Sequence, residues 1–298
     1  MRAIDLGRFR LHVVSDGKFK LDGGAMFGVI PRKMWQKAKA ADEENRIDMG
    51  TNCLLIEAGN DLVLVDTGLG DKQDEKYQRI FAYEEGAQRL PDSIRAAGFA
   101  PEQVTHVVLT HLHFDHCGWN TRLDAAGAPV ATFPNARYFM DRGEVEHARR
   151  PNERDGASYF PWNWEPLIAA GVVELFDGGC EVVPGVRAVK APGHNADMCV
   201  VTIDGSDGGG SGDSRAIFLA DLVPTAAHAP IPWTMSYDLY PLQTLESKRR
   251  WLPRLAAENW LCVFEHDAAN PLGRIVEEKP GRFAAVPLES PAASSPLR

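Results

Sequence analysis

A dense cluster of metal-binding side chains constrains this 298-residue chain more than any other feature. The sequence HLHFDH at positions 111–116 places three imidazoles and one carboxylate within six residues. It directly follows residues 104–110, whose β-branched and apolar side chains predict a buried strand. Imidazole nitrogens and carboxylate oxygens suit Zn²⁺ and also Fe, Mn or Co. The cluster therefore predicts a metal site where a strand runs into a loop.

Composition places the chain among ordinary folded proteins. It is 44% hydrophobic and 24% charged, and 41 acidic against 32 basic side chains give a formal charge of −9. Because this balance offers no basic stripe for phosphates, we expect no nucleic-acid partner. No apolar run approaches the roughly 18 residues of a spanning helix, and the N-terminus does not resemble a signal peptide. We expect no membrane partner and a cytoplasmic location.

The cysteines do not predict a structural framework. Five cysteines form no CxxC pair, and an odd number in a long chain is not typical of a disulfide scaffold. The absence of such pairs also excludes a structural zinc site of the four-cysteine type. We interpret most of the cysteines as buried thiols.

Strand and helix patterns continue on both sides of the histidine cluster. Strands are predicted at residues 9–14, 53–56, 62–65, 172–176, 186–189, 198–203, 216–219 and 261–264. Helices are predicted at residues 84–98, 142–149 and 242–257. This order indicates a chain in which strands and helices are mixed from end to end.

Two long irregular segments interrupt the pattern. Residues 18–50 are expected to form an N-terminal arm or lid that contacts a second copy of the chain, which predicts a homodimer. Residues 119–171 are rich in proline and predict an insertion with one short strand near Tyr138. Residues 287–298 predict a loose tail, which leaves residues 1–286 as a single domain. The Gly- and Ser-rich residues 205–214 predict a flexible hairpin tip.

The segment around the histidine cluster resembles the metal signature of the metallo-β-lactamase fold superfamily. Four further motifs of that superfamily have counterparts here in the same order, namely Asp66 after an apolar strand, His194 after Pro-Gly, Asp221 closing a strand and His266 after the last predicted strand. Each short motif is weak alone, but their joint order is specific. The resemblance implies an α/β (α+β) fold, a four-layer αββα sandwich of two mixed β-sheets flanked by helices. The metal site is expected at one edge of the sandwich.

The resemblance also implies two divalent metal ions, of which zinc is the expected metal and Fe, Mn or Co are alternatives. Each ion would have three ligands of its own: His111, His113 and His194 for one, and Asp115, His116 and His266 for the other. Asp221 would bridge the two ions. Asp66 is expected to orient the ligands through hydrogen bonds, although an ordinary turn-forming aspartate stays open.

The activity that the resemblance implies is hydrolysis of a small-molecule substrate. Two ions would hold a bridging hydroxide at neutral pH, which attacks an ester, lactone or organophosphate bond. Asp115 is the catalytic side chain that would guide the nucleophile or protonate the leaving group. The Pro-Gly-His motif and Asp221 look most like the lactonase and organophosphate-esterase branch, whereas the best-known β-lactamases carry a cysteine where Asp221 stands. Lactonases of that branch usually have a tyrosine shortly after this aspartate, and residues 222–226 contain none, which argues against homoserine-lactone hydrolysis.

Two other activities and a role without catalysis stay open. A glyoxalase-II-like thioesterase would need basic residues near the motifs, and none cluster there. An oxidoreductase resembling the mononuclear-iron persulfide dioxygenases would bind one ion, so metal counting separates it from the hydrolase. A binding protein that has lost catalytic activity would keep the fold but would not need every metal ligand.

Substrate contacts are predicted from aromatic and polar residues near the motifs: His228, Trp233, Tyr237, Phe27 and Trp119. An ordinary loop histidine bonded to backbone is an equal alternative for His228. The aromatic group at residues 159–164 predicts either a pocket for an apolar leaving group or a small core of its own, with core packing favoured.

Overall fold

Two seven-stranded β-sheets form the framework of the protein, seen in a computed structural model that describes residues 3–83, 89–206 and 214–288. The first sheet contains, in spatial order, β1 (Ile4–Leu6), β2 (Phe9–Asp22), β3 (Arg46–Ala58), β4 (Asp61–Val65), β5 (His106–Val108), β8 (Arg137–Asp141) and β9 (Val173–Phe176). The second contains β10 (Gly179–Val183), β11 (Val186–Lys190), β12 (Cys199–Asp204), β13 (Arg215–Phe218), β14 (Leu261–Val263), β15 (Leu272–Lys279) and β16 (Arg282–Pro287). A separate hairpin pairs β6 (Thr121–Leu123) with β7 (Pro129–Ala131).

Both sheets are mixed. The pairs β4–β5, β5–β8, β8–β9 and β13–β14 are parallel, and the other pairs are antiparallel. Parallel neighbours require crossover connections, so the carboxyl ends of several strands meet at one edge of the sandwich.

The two sheets stack because side chains alternate along each strand. In β3, Leu54 and Ile56 point into the core between the sheets, whereas Cys53 and Leu55 point to the outer face of the first sheet. Burial of each large aliphatic side chain contributes about 1.5–3 kcal/mol. An apolar run without polar alternation is therefore the mark of a strand that is covered on both faces.

Helices cover the outer faces of both sheets. They are α1 (Gly23–Phe27), α2 (Arg32–Trp35), α3 (Glu75–Ile80), α4 (Leu90–Ala96), α5 (Phe114–Cys117), α6 (Arg142–Arg149), α7 (Glu165–Ala169) and α8 (Pro241–Ala257). The apolar faces of α4, α6 and α7 join the outer cluster of the first sheet. Trp251 and Leu255 of α8 pack against the second sheet. The predicted αββα sandwich is confirmed.

The two ends of residues 18–50 belong to the first sheet, and the residues between them carry α1 and α2. The ends of β2 and β3 pair with each other through this region, from Lys18 with Gly50 to Asp22 with Arg46. The apolar side chains of α1 and α2 that were expected to reach a partner copy, such as Phe27 and Trp35, are buried within this chain. The homodimer itself stays a prediction, as does the extent of the single domain.

Residues 119–171 also differ from the expected insertion. The predicted strand near Tyr138 and the predicted helix are present as β8 and α6, but β8 lies between β5 and β9 within the first sheet. This segment is therefore part of the framework and is positioned next to the strand that precedes the histidine cluster.

The remaining differences are small. The predicted helix at residues 84–98 is present as α4, and its first part falls outside the described residues, as do most of residues 205–214 and the tail beyond residue 288. Hairpin β15–β16 was not predicted. In the described ranges, no helix combines the length and the apolar character needed to cross a membrane.

Candidate metal centre

Side chains that follow five different strands meet at one edge of the sandwich. Asp66 follows β4, the HLHFDH cluster follows β5, His194 follows β11, Asp221 follows β13 and His266 follows β14. All of them are buried. The strands thus bring together residues that lie up to 200 positions apart in the sequence, between Asp66 and His266.

Three imidazoles converge to form a first group, His111, His113 and His194. His111 Nε2 lies 3.1 Å from His113 Nδ1, and His194 Nε2 lies 3.0 Å from the same His113 nitrogen. Three nitrogen atoms therefore face a common point.

Two imidazoles and a carboxylate form a second group, Asp115, His116 and His266. The Nε2 atoms of His116 and His266 are 3.1 Å apart. The Asp115 oxygens lie 3.9 Å from His116 Nε2 and 3.8 Å from His266 Nε2.

Asp221 lies between the two groups. Its Oδ2 is 3.1 Å from His194 Nε2, and its Oδ1 is 3.1 Å from His266 Nε2. One carboxylate thus presents one oxygen to each group, which is the arrangement expected of a bridging ligand.

The donor atoms fit divalent metal ions. Ligands of a tetrahedral zinc ion at about 2.0–2.1 Å are about 3.3 Å from one another, and the nitrogens of the first group are 3.0–3.1 Å apart. A set of five imidazoles and two carboxylates is typical of zinc and its neighbours and lacks the thiolates of a closed structural site. The residues present can therefore hold two ions, one in each group.

Ionisation in the metal-free site suits metal binding at His111 and His113, whereas the pKa values of His116, His194 and His266 are raised, so an ion that binds there displaces their protons. Burial and the neighbouring imidazoles hold the pKa values of His111 and His113 well below the usual range. Both rings are therefore neutral, and each has one nitrogen lone pair free to bind an ion. Burial lowers the pKa of His266, but the Asp221 carboxylate outweighs burial and raises that pKa to about 9. Burial raises the pKa of Asp221, but His194 and His266 outweigh it and hold the pKa well below its usual range. The carboxylate is therefore ionised.

Asp66 contacts both the strand exit and the second group. Its Oδ1 and Oδ2 accept hydrogen bonds from the backbone N–H and the hydroxyl of Thr110, at 2.7 and 2.6 Å. Its Oδ2 also lies 3.0 Å from His116 Nδ1. The structure thus places Asp66 where a carboxylate can orient this imidazole, beyond the needs of an ordinary turn.

The turns that carry Asp66 and Asp221 have strained backbones. Asp66 has φ +54° and Ala220 has φ +44°, both in the left-handed region that non-glycine residues rarely adopt. Such conformations cost about 1–3 kcal/mol and persist only where surrounding contacts hold them. The contacts of the two aspartates supply that constraint and direct the carboxylates into the site.

Sequence reasoning missed two carboxylates that hold the imidazoles. Glu265 Oε2 lies 2.9 Å from His116 Nδ1, and Asp238 Oδ1 lies 3.2 Å from His194 Nδ1. Glu265 directly precedes His266 in the sequence and could have been suggested by that position. No sequence signal pointed to Asp238, because the loop before α8 is irregular.

A cavity of about 550 Å³ opens onto both groups. Its floor contains His113, Asp115, His194, Asp221 and His266. Its walls are mostly apolar and include Leu21, Met26, Tyr77, Ile80, Phe81, Phe114 and Met235. This shape provides a pocket for an uncharged small molecule beside the candidate metal ions.

Of the five residues predicted to contact substrate, the structure places only Tyr237 in the cavity lining. His228 is fully buried, with Nδ1 2.8 Å from the Thr225 hydroxyl and Nε2 2.8 Å from the Met26 carbonyl. His228 is thus the backbone-bonded loop histidine of the alternative interpretation.

Of the other three residues, Phe27 and Trp119 are buried in the protein and Trp233 is half-buried. Phe27 stacks on His228 at 4.5 Å and meets Trp233 edge to face, and Trp119 Nε1 donates a hydrogen bond to Asp16. In the aromatic group at residues 159–164, Tyr159 and Trp164 are buried in the outer cluster of the first sheet, as core packing requires.

Comparisons with known proteins agree with this geometry. The family model described as the Metallo-beta-lactamase superfamily matches residues 46–266. An N-acyl homoserine lactonase of Bacillus cereus is 26% identical over 162 residues, which are 51% of this chain and 57% of that protein, so the match spans little more than half of the relative.

Solved structures share the whole fold. A probable metal-dependent hydrolase from Staphylococcus aureus superposes with a TM-score of 0.84 at 29% identity, over 96% of this chain and 99% of the other. A dizinc quorum-quenching lactonase, AidC, solved in complex with a product, superposes with a TM-score of 0.77 at 23% identity, over 97% of both chains. Because the sequence identity to AidC is only 23%, this similarity is evidence for a shared fold alone.

Proposed function

Because the chain belongs to the metallo-β-lactamase superfamily, we propose that it is a metal-dependent hydrolase of the lactonase type. The proposed reaction uses two divalent ions, expected to be zinc, to cleave an ester, lactone or organophosphate bond of a small molecule. The fold, the buried donor groups and the adjoining cavity support this proposal.

The position of Asp221 is the observation that carries the proposal. Each of its oxygens lies 3.1 Å from an imidazole nitrogen of a different group. The second group of donors opposite the same carboxylate offers ligands for a second ion, which a protein with a single iron does not require. The geometry therefore favours a two-ion hydrolase over the mononuclear oxidoreductase.

Two divalent ions bound there would supply a nucleophilic hydroxide at neutral pH and would polarise the carbonyl or phosphoryl oxygen of the substrate. The protein supplies the remaining functions. Asp115 lines the cavity within 4 Å of both imidazoles of its group, so its carboxylate can accept a proton and deliver it to a leaving group. The carboxylates at the outer nitrogens of His116 and His194 keep those rings in one orientation during turnover.

The walls of the cavity restrict the substrate. Leu21, Phe81 and Met235 face the space beside the donor groups, and Arg154 is the one lysine or arginine among the described residues that line the cavity. Such a pocket favours a substrate with an apolar portion next to the scissile bond. The thioesterase alternative, which needs several basic residues for an acidic thiol conjugate, gains no support here.

Metal analysis combined with hydrolysis assays tests the proposal. The purified protein, loaded with zinc, should contain two ions per chain and should hydrolyse aryl esters, lactones or phosphotriesters. Chelation should abolish the activity and added zinc should restore it. Fewer than about 1.5 ions per chain at saturation would contradict the two-ion proposal, and full activity after complete chelation would contradict metal dependence.

A further inference from the structure

Residues 119–171 supply none of the predicted metal ligands, yet one of their side chains contacts the loops that carry the first group. Glu144 of α6 is 2% exposed and lies under the first group. Its Oε1 accepts hydrogen bonds from the Leu112 backbone N–H at 3.0 Å, Asn195 Nδ2 at 3.0 Å and the Tyr159 hydroxyl at 3.2 Å. A buried carboxylate keeps this position only because several donors compensate for its lost hydration.

The donors come from the two loops that carry the first group. Leu112 lies between His111 and His113, and Asn195 directly follows His194. The two loops are 81 residues apart, counted from His113 to His194. One carboxylate therefore connects the backbone of one loop to a side chain of the other.

A second contact reinforces this connection. The Tyr159 ring lies 4.8 Å from the His113 ring, and its hydroxyl is also 3.0 Å from Asn195 Nδ2. Glu144, Tyr159 and Asn195 thus form a buried network behind the first group. Of the hydrogen bonds of Glu144 within the described residues, none goes to Asp115, His116 or His266.

We infer that Glu144 is a positioning residue that sets the affinity of the first group for its metal ion without controlling the second. The inference rests on the proposed function, because it assumes that the first group binds an ion. Three imidazoles from two separate loops bind an ion tightly only if they are already in place, and Glu144 fixes the relative position of the two loops. Removing such outer hydrogen bonds around a metal site lowers metal affinity by about 10–100-fold.

Metal titration of variants tests the inference. Glu144→Gln keeps the size of the side chain but weakens the network, and Glu144→Ala removes it. Glu146→Gln, on the exposed side of the same helix, is one control. Asp141→Asn is the matched buried control, because Asn can replace Asp141 as the cap of α6 and, within the described residues, the hydrogen bonds of Asp141 go to Gly143 and Gly178 and not to the histidine loops. Zn²⁺ and Co²⁺ binding are measured by equilibrium dialysis over a range of free metal, beside thermal unfolding of the metal-free proteins.

The expected result is that both Glu144 variants bind one ion as tightly as the natural protein and the other about 10–100-fold more weakly, whereas both controls keep two tight ions. Unchanged affinities in Glu144→Gln and Glu144→Ala would overturn the inference. An equal fall in both affinities, reproduced by Asp141→Asn, would also overturn it, since that pattern indicates general loss of stability. If Glu144→Ala fails to fold, Glu144→Gln decides.

Failure of the proposed function gives a different pattern. If the natural protein binds a single ion, the two-ion proposal fails in that protein without any variant. The role of Glu144 is then decided by the single ion: a loss of affinity in Glu144→Gln but not in Asp141→Asn supports it, and unchanged affinity overturns it.

Discussion

The first and second groups of the metal centre are held in place by different parts of the chain. In the second group, the carboxylates of Asp66 and Glu265 lie 3.0 and 2.9 Å from His116 Nδ1. Asp66 directly follows β4 of the first sheet, and Glu265 directly precedes His266. In the first group, Glu144 of α6 and Asp238 of a late loop provide the support. Residues at the ends of central strands hold one half of the site, whereas a helix and a loop outside the sheets hold the other half. Metal affinity can therefore change in the first group without changes to the central strands.

Substituting Asp221 should have the largest effect, because this residue contacts both groups. Asp221→Asn removes the negative charge between His194 and His266, and we expect hydrolysis to fall by at least about 100-fold with weaker binding of both ions. Activity assays and metal content after dialysis measure the effect. Equal loss from both groups would support the bridging position, and loss from one group alone would assign Asp221 to that group.

Substituting Asp66 should affect the second group most, because Asp66 reaches the first group only indirectly, through the Thr110 hydroxyl that also lies 3.1 Å from His111 Nδ1. Asp66→Asn weakens the charged contact with His116 and the hydrogen bond with the Thr110 hydroxyl, and we expect about 10–100-fold weaker binding of one ion. The ion of the first group should be retained. A double variant with Glu144→Gln should lose both affinities additively, and strong non-additivity would show that the two supports are not independent.

Asp16 provides a pH-dependent test of the loop beside the second group. Its buried carboxylate accepts hydrogen bonds from Leu69 N, Gly70 N and Trp119 Nε1, and burial raises its pKa to about 6 from 3.8. A carboxyl with a raised pKa in the folded state stabilises the protein most below pH 4, and that contribution is lost as the pH rises through 6. This rise in the pKa of Asp16 corresponds to about 3 kcal/mol of free energy of unfolding.

Denaturant unfolding of the metal-free protein between pH 4 and pH 7 measures this contribution. The natural protein should lose about 3 kcal/mol relative to Asp16→Asn across that interval. A constant difference between the two proteins would show that folding does not raise the pKa of Asp16.

Tyr237 should have the smallest effect, because it contacts neither group and only lines the cavity with 40% of its surface exposed. Tyr237→Ala is expected to raise KM about 3–10-fold with kcat and metal content unchanged. His228→Asn is the matched comparison, because His228 is buried away from the cavity and should lower stability without changing KM. A change in KM for His228→Asn would reverse this assignment.

The sequence predicted the buried donor groups better than the residues that support them. The HLHFDH cluster, Asp221 and His266 stand at the ends of strands, where short patterns of apolar residues identify them. The hydrogen bonds of Glu144 to Leu112 and Asn195 span 32 and 51 positions, and the contact of Asp238 with His194 spans 44. Such contacts depend on how helices and loops pack against the sheets, which local periodicity does not encode.

The same dependence on contacts between distant segments explains where the fold expected from the sequence differs from the structure. Strand β8 is flanked by proline-rich sequence that is typical of an insertion, and its place in the sheet comes from parallel pairing with β5, 31 positions earlier at His106 and Arg137. Residues 18–50 contain helical and polar stretches that hide the long pairing of β2 with β3. In both segments the long-range partner, which no single stretch of sequence contains, determines the structure.

Anomalous X-ray diffraction from crystals of the zinc-loaded protein tests the central claim most directly. The account predicts two zinc peaks, one within about 2.0–2.2 Å of donor atoms of His111, His113 and His194, and one at the same distance from His116 and His266. Asp221 should contact both ions. A single peak at full occupancy, or two peaks that do not share Asp221, would contradict it.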